Sequence, residues 1–171
     1  MFKKLTFLLA GAGLVILAAC NTDKCKDKNC GTNGTCNIVT GACDCTVGYE
    51  GATCATEQRT KTVGSYQCYE RANTSGSVEG TPYAVNVAAA PSGSPVTSIL
   101  LSNLGNYSLS GLSSYNVTAT MVTTDSFTIT NSSIGNTTFN GGGRISGTTI
   151  TGRYVATYGT TTDNYLIRMT R

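Results

Sequence analysis

The sequence predicts an all-β protein in two parts, a small disulfide-rich module followed by an antiparallel β-barrel or β-sandwich domain. Three observations predict it. Six of the eight cysteines crowd between Cys25 and Cys54. From about Val63 onwards, β-branched and aromatic residues alternate with Thr and Ser between breaks rich in Gly, Asn and Pro. The chain is also poor in charge, rich in Thr, Ser, Gly and Asn, and lacks Trp and His, a profile that suits an exported β-protein better than a helical or disordered one.

The first element is a targeting segment. Lys3 and Lys4 precede an apolar run from Leu5 to Ala19 broken only by Thr6, Gly11 and Gly13. A charged start and an apolar core too short to be a comfortable transmembrane helix make a secretory signal. The run closes on Leu17-Ala18-Ala19-Cys20, which resembles the lipobox of bacterial lipoproteins. That resemblance implies a signal peptide over residues 1–19, cleavage before Cys20, and acylation of the Cys20 thiol, leaving a lipidated tether over 20–24. An ordinary signal or anchor helix with an incidental cysteine is the competing reading. It is disfavoured because Cys20 falls where polar residues begin at Asn21. Each buried methylene of a lipid contributes about 0.8 kcal/mol, so two or more acyl chains hold a protein stably.

Loss of residues 1–19 removes Lys3 and Lys4 and leaves ten basic against nine acidic residues. Such a balance gives no footing for nucleic acid. Asn21 is not the aspartate of an inner-membrane retention signal, which points to the outer membrane.

Cysteines divide the remainder. A short segment without a core needs disulfides, and an oxidising envelope permits them. Spacing alone does not choose a connectivity. Cys25, Cys30, Cys36, Cys43, Cys45 and Cys54, with the Cys43-Asp44-Cys45 step and the closing Gly48-Tyr49-Glu50-Gly51-Ala52-Thr53-Cys54, resemble an EGF-like domain over residues 25–54. The resemblance implies that Cys25 pairs with Cys36, Cys30 with Cys43, and Cys45 with Cys54. Gly31-Thr32-Asn33-Gly34, Gly41, Gly48 and Gly51 supply turns, and Tyr49 is the module's expected packing side chain. A zinc site is disfavoured without Cys-x-x-Cys pairs or His. Calcium is disfavoured too: Lys24 stands where that subtype of EGF-like domain wants an oxygen ligand, and Asn37 to Ala42 holds no acid. No cofactor is expected. Lys24, Lys26 and Lys28 read first as a solvated face near the membrane and only second as a lipid or polyanion site.

Residues 55–62 read as a linker, and 63–171 as the β-domain. Strands are expected at Val63 to Arg71, Tyr83 to Ala89, Val96 to Ser102, Tyr115 to Val122, Phe127 to Thr130, Thr149 to Tyr158 and Tyr165 to Thr170. Short ones are expected at Thr137 to Asn140 and Arg144 to Ser146, separated by a turn at Gly141-Gly142-Gly143. One-sided alternation assigns the buried face to Tyr83, Val85, Val87 and Ala89, to Tyr115, Val117, Ala119 and Met121, and to Ile150, Tyr154, Ala156 and Tyr158.

An EGF-like segment followed by a domain with Gly64-Ser65-Tyr66-Gln67-Cys68, Ile99-Leu100-Leu101-Ser102-Asn103 and Phe139 to Gly147 resembles a group of bacterial outer-membrane lipoproteins of unknown role. In that group the opening-strand cysteine is often matched by another near the domain's end. None stands there in this chain, so Cys68 is expected to be a buried free thiol, with an intermolecular disulfide as the alternative.

No catalytic constellation is legible. Without His the usual base of a Ser or Cys triad is missing, and Glu70, Glu79, Asp125 and Asp163 are scattered. Gly111-Leu112-Ser113-Ser114-Tyr115 lacks the second glycine of a nucleophile elbow. The expectation is therefore a lipid-anchored, non-enzymatic envelope protein, possessing a membrane contact through Cys20 and an unknown protein or glycan partner. The alternative is a lipocalin-like carrier of a small apolar ligand, and the interior of the β-domain discriminates between them.

Overall fold

The computed structural model describes residues 23–72, 80–107 and 112–171. Residues 1–19, where a signal peptide is expected, Cys20, the expected lipidation site, and Glu79 lie outside the described residues.

The cysteine module is built from two ribbons. Strands β1 (Gly34–Cys36) and β2 (Cys43–Cys45) form a hairpin in which Cys36 faces Cys43. Its tip is closed by Asn37 N–H donating to Ala42 O at 2.8 Å and Gly41 N–H to Asn37 O at 2.7 Å, with Gly41 at φ 74° where a side chain would be strained. Strand β3 (Tyr49–Glu50) pairs with β4 (Thr56–Glu57). Disulfides join Cys25 to Cys36, Cys30 to Cys43 and Cys45 to Cys54, the pairs that the resemblance implies.

Residues 55–62 are more than a linker. β4 completes the module's second ribbon, and Gln58–Lys61 then turn as a short 3-10 helix. Arg59 explains the turn's position: its guanidinium holds Glu57 at 2.8 Å and donates to Ala90 O at 3.4 Å and Ser98 O at 3.2 Å on the neighbouring domain.

That domain is a closed eight-stranded barrel, which settles the choice between barrel and sandwich. Its strands are β5 (Gly64–Ala72), β6 (Tyr83–Ala89), β7 (Ser98–Ser102), β8 (Asn116–Thr123), β9 (Ser126–Ile134), β10 (Thr137–Ser146), β11 (Thr149–Tyr158) and β12 (Thr161–Thr170). Each runs antiparallel to its sequence neighbour, and β12 closes the circle on β5 with Met169 opposite Cys68. Closure leaves no edge strand open to pairing with another chain. The up-and-down order also fixes the two ends. Residues 90–97 and the turns after β8 and β10 lie at the end that adjoins the module. Residues 103–107 and 112–115 and the turns after β9 and β11 surround the opposite end, the mouth.

Most expected strands form, with differences that have local causes. Val96 and Thr97 belong to a turn, because Ser98 N–H bonds back to Pro95 O at 2.8 Å. The strand expected at Phe127 to Thr130 continues to Ile134, and the last strand begins at Thr161. Gly141-Gly142-Gly143 is not a turn but the middle of β10, beside a bulge between Phe139 and Gly141. A Cβ on Gly142 would lie 2.5 Å from Phe127 O, so glycine lets the neighbouring strands close in where the sheet must bend. Ala89 and Tyr158 share the parity of the buried rows yet are exposed, since each ends its strand at a rim of the barrel.

The barrel interior is filled by side chains. Val85, Val87, Ile99, Leu101, Val117, Met121, Ile150 and Met169 occupy it with almost no exposure, and Thr62 is buried at the module end, accepting the Tyr66 hydroxyl on its carbonyl at 2.9 Å. The terminal Arg171 seals that end by donating to Val63 O at 2.7 Å and Lys61 O at 2.9 Å.

Candidate functional site

Alternation along β5 directs Tyr66, Cys68 and Glu70 inward in succession, so that a carboxylate lies toward the mouth half of the barrel. Tyrosines converge on it. Tyr83 of β6 donates to Glu70 Oε2 at 2.5 Å, and Tyr154 of β11 donates to Oε1. Both carboxylate oxygens are thus engaged by phenols, as a carboxylate withdrawn from bulk water requires. Tyr83 Oη in turn accepts the Gly105 N–H at 2.7 Å, and Tyr115 Oη donates to Leu104 O at 2.5 Å while accepting the Tyr107 N–H at 3.1 Å. The turn over residues 103–107 is therefore pinned to the barrel by tyrosine hydroxyls.

An aromatic layer surrounds these bonds. Phe139 of β10 lies 6.0 Å from Tyr154 and 6.1 Å from Tyr115 between ring centroids, while Tyr107 meets Phe139 edge-on at 5.9 Å and Tyr154 stacks on Tyr165 at 5.1 Å. Such contacts contribute about 0.5–1.5 kcal/mol each beyond burial. Burial, reinforced by Glu70, pushes the Tyr154 phenol far above its ordinary value. Burial, then the neighbouring Cys68 and Glu70, does the same for Tyr83. Tyr115 is pushed up to about 12, chiefly by burial. The Tyr83, Tyr115 and Tyr154 phenols therefore stay neutral at any physiological pH.

Above the aromatic layer a partly open cavity of about 500 Å³ occupies the mouth. Tyr107 forms its base, Leu112, Ile134, Ala156 and Tyr158 its apolar walls, and Asn136, Thr137, Thr161 and Asp163 its polar fringe. Leu112 and Tyr158 are exposed apolar side chains on this rim. An apolar concavity with a few polar groups is the usual build of a small-ligand site.

Cys68 is a free thiol, fully buried on β5, and burial pushes it up to about 11, with the Tyr83 hydroxyl opposing that rise. A thiol so held is protonated and unreactive. Among the described acids of the barrel, Glu70 is bound by the tyrosines, Asp125 lies in the β8–β9 turn at the module end, and Asp163 is on the mouth rim. Among the described residues no three acids or cysteines converge as a metal site would need. Alternation in the sequence marks the buried rows but does not bring Glu70 together with Tyr83 and Tyr154, nor mark Tyr107 and Tyr158 as cavity residues. The signal for Glu70 was its parity with Tyr66 and Cys68.

Comparison with family models, with curated proteins and with solved structures returns no match.

Proposed function

We propose that this chain is a lipid-anchored, non-enzymatic binding protein of the bacterial envelope, which holds a small, largely apolar ligand in the cavity at the barrel mouth. The observation that carries the reading is the position of that cavity: it opens at the end of the barrel opposite the module and is lined by Tyr107, which packs edge-on against Phe139 of the aromatic layer. The filled interior argues against a deep lipocalin-like calyx, so the carrier reading moves to the mouth. The anchor follows from the lipobox at Cys20, and the cysteine module spaces the barrel from the bilayer.

Two measurements test this reading. A neutral apolar dye should bind and brighten, and Leu112→Asp or Tyr158→Asp should weaken that binding at least about tenfold by placing a charge on an apolar wall. Both positions are exposed, so the barrel should still fold. Unchanged dye binding in both variants would remove the mouth as the site. Separately, Cys20→Ser should abolish incorporation of a fatty-acid analogue, and an equally labelled variant would remove the anchor.

A further inference from the structure

We propose that the tip of the β1–β2 hairpin is a second membrane contact, in which Ile38 and Val39 enter the lipid interface beside the acylated N-terminus and orient the chain on the bilayer. This inference rests on the anchor at Cys20. Single exposed apolar residues are ordinary; these two are set apart by where they lie.

Ile38 and Val39 are adjacent and 75% and 73% exposed, in a module with few other aliphatic side chains. They sit beside the start of the described chain: Lys24 Nζ donates to Val39 O at 2.7 Å, and a Cβ on Gly41 would approach Lys24 Cβ at 3.0 Å. Lys24 is only four residues after Cys20, a reach of at most about 14 Å when fully extended. Acyl chains in a bilayer therefore bring the tip close to the lipid surface.

The opposite end of the hairpin adjoins the barrel, although Val47 there is itself 73% exposed. From Gly34 and Cys45 the hairpin leads into Thr46, Val47 and Gly48, and Gly48 packs so tightly on the barrel that an added Cβ would meet Val96 Cγ1 at 2.4 Å. The tip lies beyond Cys36 and Cys43, away from that contact. Chemistry at the tip suits an interface. Over residues 23–45 Lys24, Lys26 and Lys28 are balanced in number by Asp23, Asp27 and Asp44, the last held by Asn37 Nδ2 at 3.1 Å, so the formal charges cancel. Apolar partitioning therefore carries the contact, while the lysines keep their ammonium groups in the headgroup layer. The barrel mouth then faces away from the membrane.

The chain has no Trp, so Ile38→Trp and Val39→Trp each introduce a single fluorophore, with Leu112→Trp at the mouth as the control. Lipidated chains are incorporated into phosphatidylcholine–phosphatidylglycerol vesicles with ordinary or brominated acyl chains. Bromine should reduce emission about twofold for the Trp at 38 or 39, with a blue shift, and leave the mouth Trp unchanged, as interfacial insertion requires. Two tip variants that co-float with vesicles but remain unquenched would overturn the contact while leaving the anchor intact. Should fatty-acid labelling show no anchor, the Cys20→Ser form of each tip variant at high vesicle concentration decides the contact alone: quenching supports it and its absence overturns it.

Discussion

Tyr154 donates its phenolic hydrogen to Glu70, a residue 84 positions earlier in the chain, and so ties β11 to β5 across the intervening β12. Tyr83 engages the other oxygen of the same carboxylate from β6. One acid thus braces three strands beneath the mouth, and through Tyr83 it also supports the backbone at Gly105.

Glu70→Ala should destabilise the barrel by about 1–3 kcal/mol, because the buried Tyr154 and the half-buried Tyr83 lose their acceptor at once. Glu70→Gln should cost less, since one carbonyl oxygen remains to accept. A double-mutant cycle with Tyr154→Phe, read by denaturant unfolding, should give a coupling of at least about 0.5 kcal/mol. Additive single effects would show that the pair contributes no interaction of its own.

The buried thiol and phenols predict a stability loss in base rather than in acid. Cys68 is held protonated up to about 11 in the fold, against an ordinary value of 9.0. Its stabilisation is complete below pH 9.0 and is lost progressively as pH rises toward about 11, because the unfolded thiol ionises first. The raised phenols act in the same direction at higher pH, from about 10. Denaturant midpoints measured across this range should begin to fall near pH 9, and Cys68→Ala should move the onset up toward the tyrosine range. An unchanged onset in that variant would remove Cys68 as the first group to titrate.

Much of the barrel was legible because its strands obey a period of two. Val85 and Val87, or Val117, Ala119 and Met121, announce an inward row against Thr, Ser and Asn on the other face. Closure was not legible, since it depends on β12 meeting β5, a pairing between the first and last strands that no local pattern encodes. The glycine run was misread as a turn for a related reason: its use is the close approach of β9 and β11, visible only once those strands are in place. The cavity is not legible in the sequence because its residues come from turns and strand ends, Leu112, Asn136 and Tyr158 among them, where parity no longer decides burial.

Gly152 on β11 gives a sharp test of that close approach. A Cβ there would fall 2.3 Å from Gly142 O and 2.8 Å from Gly143 Cα, and neither backbone atom can rotate aside. Gly152→Ala should therefore destabilise the barrel by about 1–3 kcal/mol. The neighbouring exposed Thr151→Ala should change stability by less than about 0.5 kcal/mol. Equal unfolding midpoints for the two variants would mean that β10 and β11 have room to separate.

The two halves draw their stability from different sources. All three disulfides lie between Cys25 and Cys54, and the module has few aliphatic side chains to bury. Its order depends on those bridges, each contributing roughly 2–4 kcal/mol. The barrel depends instead on a continuous buried cluster from Tyr66 to Met169, at about 25 cal/mol per Å² of apolar surface. The contacts that seat Arg59 and Thr62 on the barrel come after Cys54 and are not cut by reduction. The part-exposed Lys61–Glu50 pair at 2.8 Å joins the module to the 3-10 turn and couples them weakly, while Gly48 of the module rests against Val96 of the barrel. A reductant should therefore release the hairpin tip, seen as fast amide exchange at Asn37 and Gly41. The β-sheet circular dichroism and the near-ultraviolet signal of the barrel tyrosines should stay nearly unchanged. Cooperative loss of both signals on reduction would mean that the module and the barrel fold as one unit.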